Sequence, residues 1–370
     1  MQSNQFLPEP RFWDRKKVLI TGHTGFKGSW LTLWLNLLGA EVKGYSLAPD
    51  SGRMFDCLNL EHRCQSVVGN IMDLPKLRDA ISSFGPEVVF HVAAQPLVIE
   101  SYREPLDTFA VNALGTANVL EACRTAGDVR AIVVVTTDKV YDNKEVAWSF
   151  RETDPLGGND PYSASKACAE LISNSYRRSF FDQAGTALAT VRAGNVFGGG
   201  DWSENRLIPD AVQAFYQRKP LVLRNPAAVR PWQFVLEPLC GYLMVARACL
   251  ESKGFSVAWN FGPNEGEIYT VARLAEALAK AWGDEASTVV EGSAVAPPKE
   301  AGSIVLNSGY AMRRLGWRPV LAMEKALEMT IDWYKCFYQK KKPEQIISLT
   351  ERQIQEVNRL YLRGEELCVI

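Results

Sequence analysis

The stretch V-L-I-T-G-H-T-G-F-K-G-S-W, Val18 to Trp30, places three glycines three residues apart directly after an apolar run. Lys17–Thr21 is short and β-branched, which predicts a strand, and S-W-L-T-L-W-L-N-L-L over 29–38 predicts a buried helix stopped by Gly39. Glycines between a strand and a helix have separate uses. Gly22 allows a tight turn, Gly25 allows the backbone to approach a diphosphate closely, and Gly28 allows the helix to pack against the strand. The helix N-terminus then faces the anion with unpaired N–H groups.

The same alternation continues downstream. Strands are expected at Glu41–Leu47, Ser66–Val68, Val88–His91 and Ala131–Thr136, with helices at Leu74–Phe84 and Pro105–Thr125. Alternating strands and helices make an α/β, Rossmann-type, doubly wound parallel sheet, with ligands at the carboxyl ends of the strands. Those ends carry Thr21-Gly22, Ser46, Asn70-Ile71, Ala93-Ala94-Gln95 and Thr136-Thr137-Asp138-Lys139.

Composition removes several classes of function. A net charge of -1 over 370 residues argues against a general nucleic-acid binder, and the Lys340–Lys342 run next to Pro343 reads as a solvated helix end. No apolar stretch approaches the roughly 20 residues needed to span a bilayer, and the polar start Met1–Phe12 lacks the apolar core of a secretory signal. Eight scattered cysteines, without a C-x-x-C or Cys/His pairing, predict neither a zinc site nor a disulfide framework. A reduced, cytoplasmic protein with no metal is expected.

D-P-Y-S-A-S-K, Asp160 to Lys166, opens a second apolar-periodic helix. Tyr162 and Lys166 are four apart and share one helix face. There an ammonium can stabilise a phenolate whose ordinary pKa is about 10, making it a base for an alcohol proton.

With these residues in place the chain resembles the extended short-chain dehydrogenases/reductases that act on nucleotide sugars. T-G-H-T-G-F-K-G (21–28), Y-S-A-S-K (162–166), H-V-A-A-Q (91–95) and V-N-A-L-G-T (111–116) carry the resemblance, which runs from about Lys17 to about Trp333. R-A-G-N-V-F-G-G-G-D-W (192–202), R-P-W-Q-F-V-L-E-P (230–238) and T-T-D-K-V-Y-D-N (136–143) are similar to the CDP-glucose 4,6-dehydratases in particular. Dehydratases of this group generally carry Thr-Asp-Glu at the strand end. Here Thr137-Asp138-Lys139 stands there, with the Lys typical of the CDP-glucose branch.

The resemblance implies oxidation of the sugar at carbon 4, elimination of water across carbons 5 and 6, and reduction at carbon 6. Tyr162 would take the 4-hydroxyl proton beside Thr137, Lys166 would support Tyr162, Asp138 would be the acid for the leaving 6-hydroxyl, and Lys139 the base at carbon 5. It implies NAD as cofactor, held by Gly22, Thr24, Gly25, Phe26, Lys27, Gly28, Ser46, Asn70, Ile71, Ala93, Ala94, Gln95 and Asn112 together with Tyr162 and Lys166. The second strand lacks the usual ribose-binding acid, Asp50 comes slightly late, and Arg53 could accept a 2'-phosphate, so the residues themselves leave NAD and NADP open. Substrate contacts fall to Gln95, Thr137, Asn195, Arg206, Leu207 and Arg230, with CDP-glucose as the partner molecule. The arginine forks suit phosphate oxygens. Cytidine contacts in the 299–307 run stay open.

Domain limits are expected at 15–192 for the dinucleotide-binding domain, with a returning segment near 230–262, at 193–340 for a smaller mixed α/β substrate lobe, and at 341–370 for an extension without assignable chemistry. The second lobe should interrupt the sheet with helix Leu207–Gln217, return through Ala258–Gly262, and end with helices Val271–Trp282 and Met323–Lys340. The family implies a homodimer or homotetramer through helices Pro105–Thr125 and Ser163–Phe180. His91 reads as a core residue, His23 as a loop residue beside the cofactor phosphates, and Trp30, Trp34, Trp317 and Trp333 as core. Competing readings are another nucleotide-sugar dehydratase or 4-epimerase of this fold, or a non-catalytic dinucleotide sensor.

Overall fold

Seven strands form the central sheet: β1 (Lys17–Thr21), β2 (Glu41–Ser46), β3 (Gln65–Val68), β4 (Val88–His91), β5 (Ala131–Val135), β6 (Ala187–Ala193) and β7 (Ala258–Phe261). The computed structural model describes residues 6–144, 148–264, 269–283, 286–290, 303–339 and 342–363. Residues 299–302 of the expected cytidine run, Lys340 and Lys341 of the basic run, and Cys368 lie outside the described residues.

The spatial order is β7-β6-β5-β4-β1-β2-β3, and every pair is parallel. All residues of β4, β5 and β6 are buried, as expected of parallel strands covered on both faces. Alternate side chains serve two cores. Val18, Ile20 and Val133 pack with Trp30 and Trp34 on one face, while Leu19, Val89 and Ile132 pack with Leu77 and Leu120 on the other. The order reverses between β1 and β4, so a crevice opens there at the carboxyl ends. The Ala258 segment returns to the central sheet as the edge strand next to β6.

The helix that follows β1 covers Phe26–Leu37, three residues earlier than its sequence pattern suggests, because Gly25 already serves as its N-cap. The expected helix Pro105–Thr125 is interrupted. It runs as Pro105–Phe109, a wide turn at Ala110–Leu114, and Gly115–Ala126. Such turns insert one residue and redirect side chains; here Asn112 is turned inward. The helix bearing Tyr162 spans Pro161–Tyr176, starting with Pro161 at its first turn and Asp160 capping the Ser163 N–H at 2.9 Å.

The later part contributes helices Leu207–Tyr216, Val271–Trp282 and Met323–Tyr338 and a parallel strand pair, Leu221–Leu223 with Thr288–Val290. The helix Pro343–Arg363 belongs to the packed body. Its Ile346, Ile354, Val357 and Tyr361 are buried in the main core, Trp333 Nε1 donates to Thr350 Oγ1 at 3.0 Å, and Gln353 Nε2 donates to the Met329 carbonyl at 2.7 Å. Among the described residues no helix is long and apolar enough to cross a membrane.

Candidate active site

A cleft of about 1280 Å³ lies at the carboxyl ends of the strands, between the sheet and the later helices. Its floor is the glycine loop. Gly22 has φ +77, and a Cβ there would meet the Ala93 nitrogen at 2.7 Å. A Cβ on Gly28 would sit 2.1 Å from the Gly22 carbonyl oxygen, so helix and turn touch backbone to backbone. Gly25 differs: its hypothetical Cβ meets nothing in the protein closer than 3.4 Å. The helix beginning at Phe26 has no side-chain cap, leaving its first N–H groups for a ligand at the cleft. Both features fit a diphosphate.

Around this loop, Thr24 Oγ1 and Ser46 Oγ share a hydrogen bond of 2.7 Å, which fastens the loop to the end of β2. Asn70 accepts the Met72 N–H through Oδ1 at 3.0 Å, keeping its amide group at the cleft wall beside Ile71. Ala93 and Ala94 border the same space. Arg53 reaches across: its Nη1 donates to the Trp202 carbonyl at 3.4 Å and its guanidinium lies 5.8 Å from the Trp202 ring.

The end of β5 and the helix Pro161–Tyr176 supply the polar centre. Thr137 Oγ1 donates to Asp138 Oδ1 at 2.9 Å, and Tyr162 lines the cleft with them. Asp138 is buried, lines the cleft, and its Oδ2 has no partner. Burial pushes its carboxyl up, against the pull of Lys139, the Thr137 hydroxyl, Arg230 and Lys27. Tyr162 is likewise raised, to about 12, by burial; Thr137 and Arg206 oppose this, while Asp138 and Asp160 add to it. The unliganded phenol is therefore neutral, and the lowered phenol pKa expected from a Lys four residues on does not arise here. The Lys166 Nζ donates to the Val135 carbonyl at 3.0 Å, and burial lowers its pKa to about 8 against the field of Glu170. Lys27 also lines the cleft. Burial, followed by repulsion from Arg206 and Lys166, brings it down to about 7 despite Asp138 and Asp201.

Asn195, Arg206, Leu207 and Arg230 also line the cleft. Asn195 begins a short strand, Asn195–Phe197, that pairs with Trp232–Phe234. Arg230 is buried, and its Nη1 donates to the Val229 carbonyl at 2.9 Å. Arg206 is held by an ion pair with buried Asp201 at 3.0 Å. Two guanidinium groups and a glycine loop thus border one cleft, an arrangement suited to two separate diphosphates.

Two expected contact residues are not at the cleft wall. Gln95 folds back: its Nε2 donates to the Leu97 carbonyl and Thr108 Oγ1 at 3.1 and 2.8 Å, and its Oε1 accepts the Leu97 N–H. Asn112 braces this loop, accepting the Gln95 N–H at 2.8 Å and donating to the Gln95 carbonyl at 3.0 Å and to Ser165 Oγ at 2.9 Å. Local hydrogen bonds take up both amides, so they shape the wall from behind. His23 also departs from expectation. It is fully buried, hydrogen-bonds Ser66 Oγ at 2.8 Å and stacks edge-on to Phe55, because Gly44 leaves room for its ring beneath β2. His91 is the core residue anticipated, bonded to Thr21 at 2.7 Å and Thr116 at 3.0 Å. Sequence reasoning missed Asp201 and Trp202 as cleft residues; the D-W pair closing the 192–202 stretch was the available signal. Among the described residues no group of His, Cys, Asp and Glu could hold a metal ion.

The model of the GDP-mannose 4,6-dehydratase family matches residues 19–330. Over 355 residues the chain is 44% identical to the CDP-glucose 4,6-dehydratase of Salmonella typhimurium, covering 94% of this chain and 98% of that one. Among solved structures, the dTDP-glucose 4,6-dehydratase DesIV of Streptomyces venezuelae, which contains NAD, superposes with a TM-score of 0.74 at 25% identity, covering 88% of this chain and 99% of that one. A UDP-glucose 4-epimerase from Thermotoga maritima shares the fold at a TM-score of 0.75 and 24% identity, over 88% of this chain and 99% of that one.

Proposed function

The chain belongs to the GDP-mannose 4,6-dehydratase family, and we propose that it acts as a CDP-glucose 4,6-dehydratase, converting CDP-D-glucose to CDP-4-keto-6-deoxy-D-glucose and water with NAD as its cofactor. The observation that carries this reading is the grouping of Tyr162, Thr137 and Asp138 on the cleft wall, with Thr137 bonded to Asp138 and the carboxyl of Asp138 buried and half-partnered. An oxidation needs only the first two. A buried carboxyl with a raised pKa beside them is what an elimination requires in addition, since it can give a proton to the departing hydroxyl.

Gly22, Gly25, Gly28 and the uncapped helix start would hold the cofactor diphosphate, with Thr24, Phe26, Lys27, Ser46, Asn70, Ile71, Ala93 and Ala94 around it. When bound, NAD supplies the hydride acceptor for carbon 4, the hydride donor for carbon 6 and, oxidised, a positive ring charge. Tyr162 takes the proton of the 4-hydroxyl, which Thr137 orients through the same oxygen. Because burial raises the phenol to about 12, it acts as a base only with positive charge gathered near it, and Arg206 contributes one such charge. The carbon 4 ketone acidifies the carbon 5 proton, which Lys139 removes while Asp138 protonates the 6-hydroxyl as it leaves. Arg230, Arg206 and Asn195 grip the substrate diphosphate.

Support for the cytidine nucleotide comes from the 44% identical relative and from Lys139 in the position where related dehydratases carry Glu. We extend the proposal to a homodimer or homotetramer: Leu106, Leu114 and Leu171, exposed on and between the helices 105–126 and 161–176, form an apolar face suited to a second copy. Residues 15–192 with β7 would serve the cofactor, and residues 193–340 mainly the sugar nucleotide. The test is incubation of purified protein with CDP-, dTDP-, UDP- and GDP-hexoses, with mass analysis of the products. Loss of water from CDP-glucose in preference to the others is expected, and equal or better dehydration of another nucleotide sugar would overturn the assignment.

A further inference from the structure

Glu170 lies one turn beyond Lys166 on the helix Pro161–Tyr176, is buried, and does not border the cleft. Its carboxylate is saturated. Oε1 accepts from Thr136 Oγ1 at 2.6 Å and from Arg192 Nε at 2.9 Å, and Oε2 accepts from Thr190 Oγ1 at 2.7 Å and from Arg192 Nη2 at 2.9 Å. Arg192, equally buried, continues to the Tyr141 hydroxyl at 2.8 Å and the Glu152 carbonyl at 3.1 Å.

The placement of these bonds is specific. Val135 and Thr136 are the last two residues before Thr137 and Asp138, and each is tied to the helix that carries Tyr162. Lys166 Nζ holds the Val135 carbonyl at 3.0 Å, and Glu170 holds the Thr136 hydroxyl. β6, through Thr190 and Arg192, closes the arrangement from the other side. A fold needs no buried ion pair at this point, since apolar residues of similar volume generally do as well for stability.

We infer that Glu170 is a positioning residue for the dehydration: with Arg192 it fixes the spacing between the Thr137-Asp138 strand end and the Tyr162 helix. Its negative charge, one turn along the same helix, also favours the ammonium form of Lys166. This rests on the function proposed above. Burial opposes the charge on Glu170, yet Arg192 and the two threonine hydroxyls keep its carboxyl below the usual range. The other titratable groups facing Lys166 do not replace it. His91 on β4 is buried and neutral, held down to about 3, and Lys27 from the helix that follows β1 repels another cation.

Two variants separate the roles. Thr136→Val removes the strand-end bond and leaves every charge, so kcat for CDP-glucose should fall at least tenfold with KM within twofold and with an unmoved alkaline limb of the pH profile. Glu170→Gln removes the charge, so the alkaline limb, set by loss of the Lys166 proton, should move to lower pH by at least half a unit. The Lys166 midpoint is also read without substrate, from the pH dependence of its labelling by trace acetic anhydride, followed by peptide mass analysis. The same downward movement is expected there, whichever sugar nucleotide the protein uses. Should Glu170→Gln not fold, the pair Glu170→Gln with Arg192→Met, which buries no unpaired charge, takes its place. A Thr136→Val variant with less than a tenfold loss in kcat, or a Lys166 labelling midpoint that stays at the wild-type pH without the Glu170 charge, would overturn the inference.

Discussion

Thr137 gives its hydroxyl proton to its chain neighbour Asp138 at 2.9 Å, and both line the cleft together with Tyr162. The group proposed for oxidation and the group proposed for elimination therefore border one cleft, with the threonine bonded to the second. Substitution on either side should separate the two steps.

Asp138→Asn keeps size and the bond from Thr137 but has no carboxylic proton to give. Dehydration should slow by about 10²–10⁴-fold, the usual worth of a general acid. Carbon 5 chemistry upstream of it should persist. Unconsumed CDP-glucose recovered from heavy water should carry deuterium at carbon 5, which NMR and mass analysis would detect.

Lys139→Met is expected to give the complementary result. With the base gone, carbon 5 of recovered substrate should stay protiated in heavy water, and product should fail to form. Exchange at the wild-type rate in this variant would assign the base elsewhere in the cleft.

The glycines give a contrast between fold and ligand. Gly28→Ala forces a Cβ to 2.1 Å from the Gly22 carbonyl oxygen and should destabilise the protein by about 1–3 kcal/mol, as overpacking does. Gly25→Ala, with nothing closer than 3.4 Å in the protein, should melt close to wild type while NAD affinity drops at least tenfold. Thermal melts paired with calorimetric titration of NAD distinguish the two.

The legible part of the sequence was the part where one residue type has one physical use. A glycine run between strand and helix, and a Tyr and Lys one turn apart, left little freedom, and the structure brings both to one cleft. Orientation was less legible. Gln95 and Asn112 sit at strand and helix ends that face the cleft, yet they bond each other, a choice made by Thr108 and Ser165 well away in sequence. His23 turns inward because Gly44, on the next strand, leaves a space that no local pattern announces. The segment after Pro343 offered no assignable chemistry, and the stripe of Ile346, Ile354, Val357 and Tyr361 on helix Pro343–Arg363 only has meaning against the main core that buries it. Glu170 carried a readable signal, an acid one turn past Lys166 on the buried face, whose partner Arg192 lies on a strand 22 residues on.

Histidine burial sets an acid limit. His91 is held down to about 3 and His23 to about 4 by burial, against about 6.5 in an unfolded chain. Below about pH 6.5 the unfolded chain binds protons that the folded protein refuses, so stability should fall as pH drops from there towards 4. Chemical denaturation at pH 7.5 and 5.0 should show this loss, and His91→Gln should flatten the dependence, even if its own stability at pH 7.5 is lower.

The most direct measurement follows a label within one substrate. CDP-glucose carrying deuterium on carbon 4 is incubated with the protein and its resident cofactor, and the product is analysed by mass and NMR. The predicted result is a product lighter by one water, with the deuterium on carbon 6 and no cofactor consumed. Recovery of CDP-glucose unchanged, or of a carbon 4 oxidised sugar that keeps its 6-hydroxyl and has lost the deuterium to a stoichiometric amount of cofactor, would contradict the account.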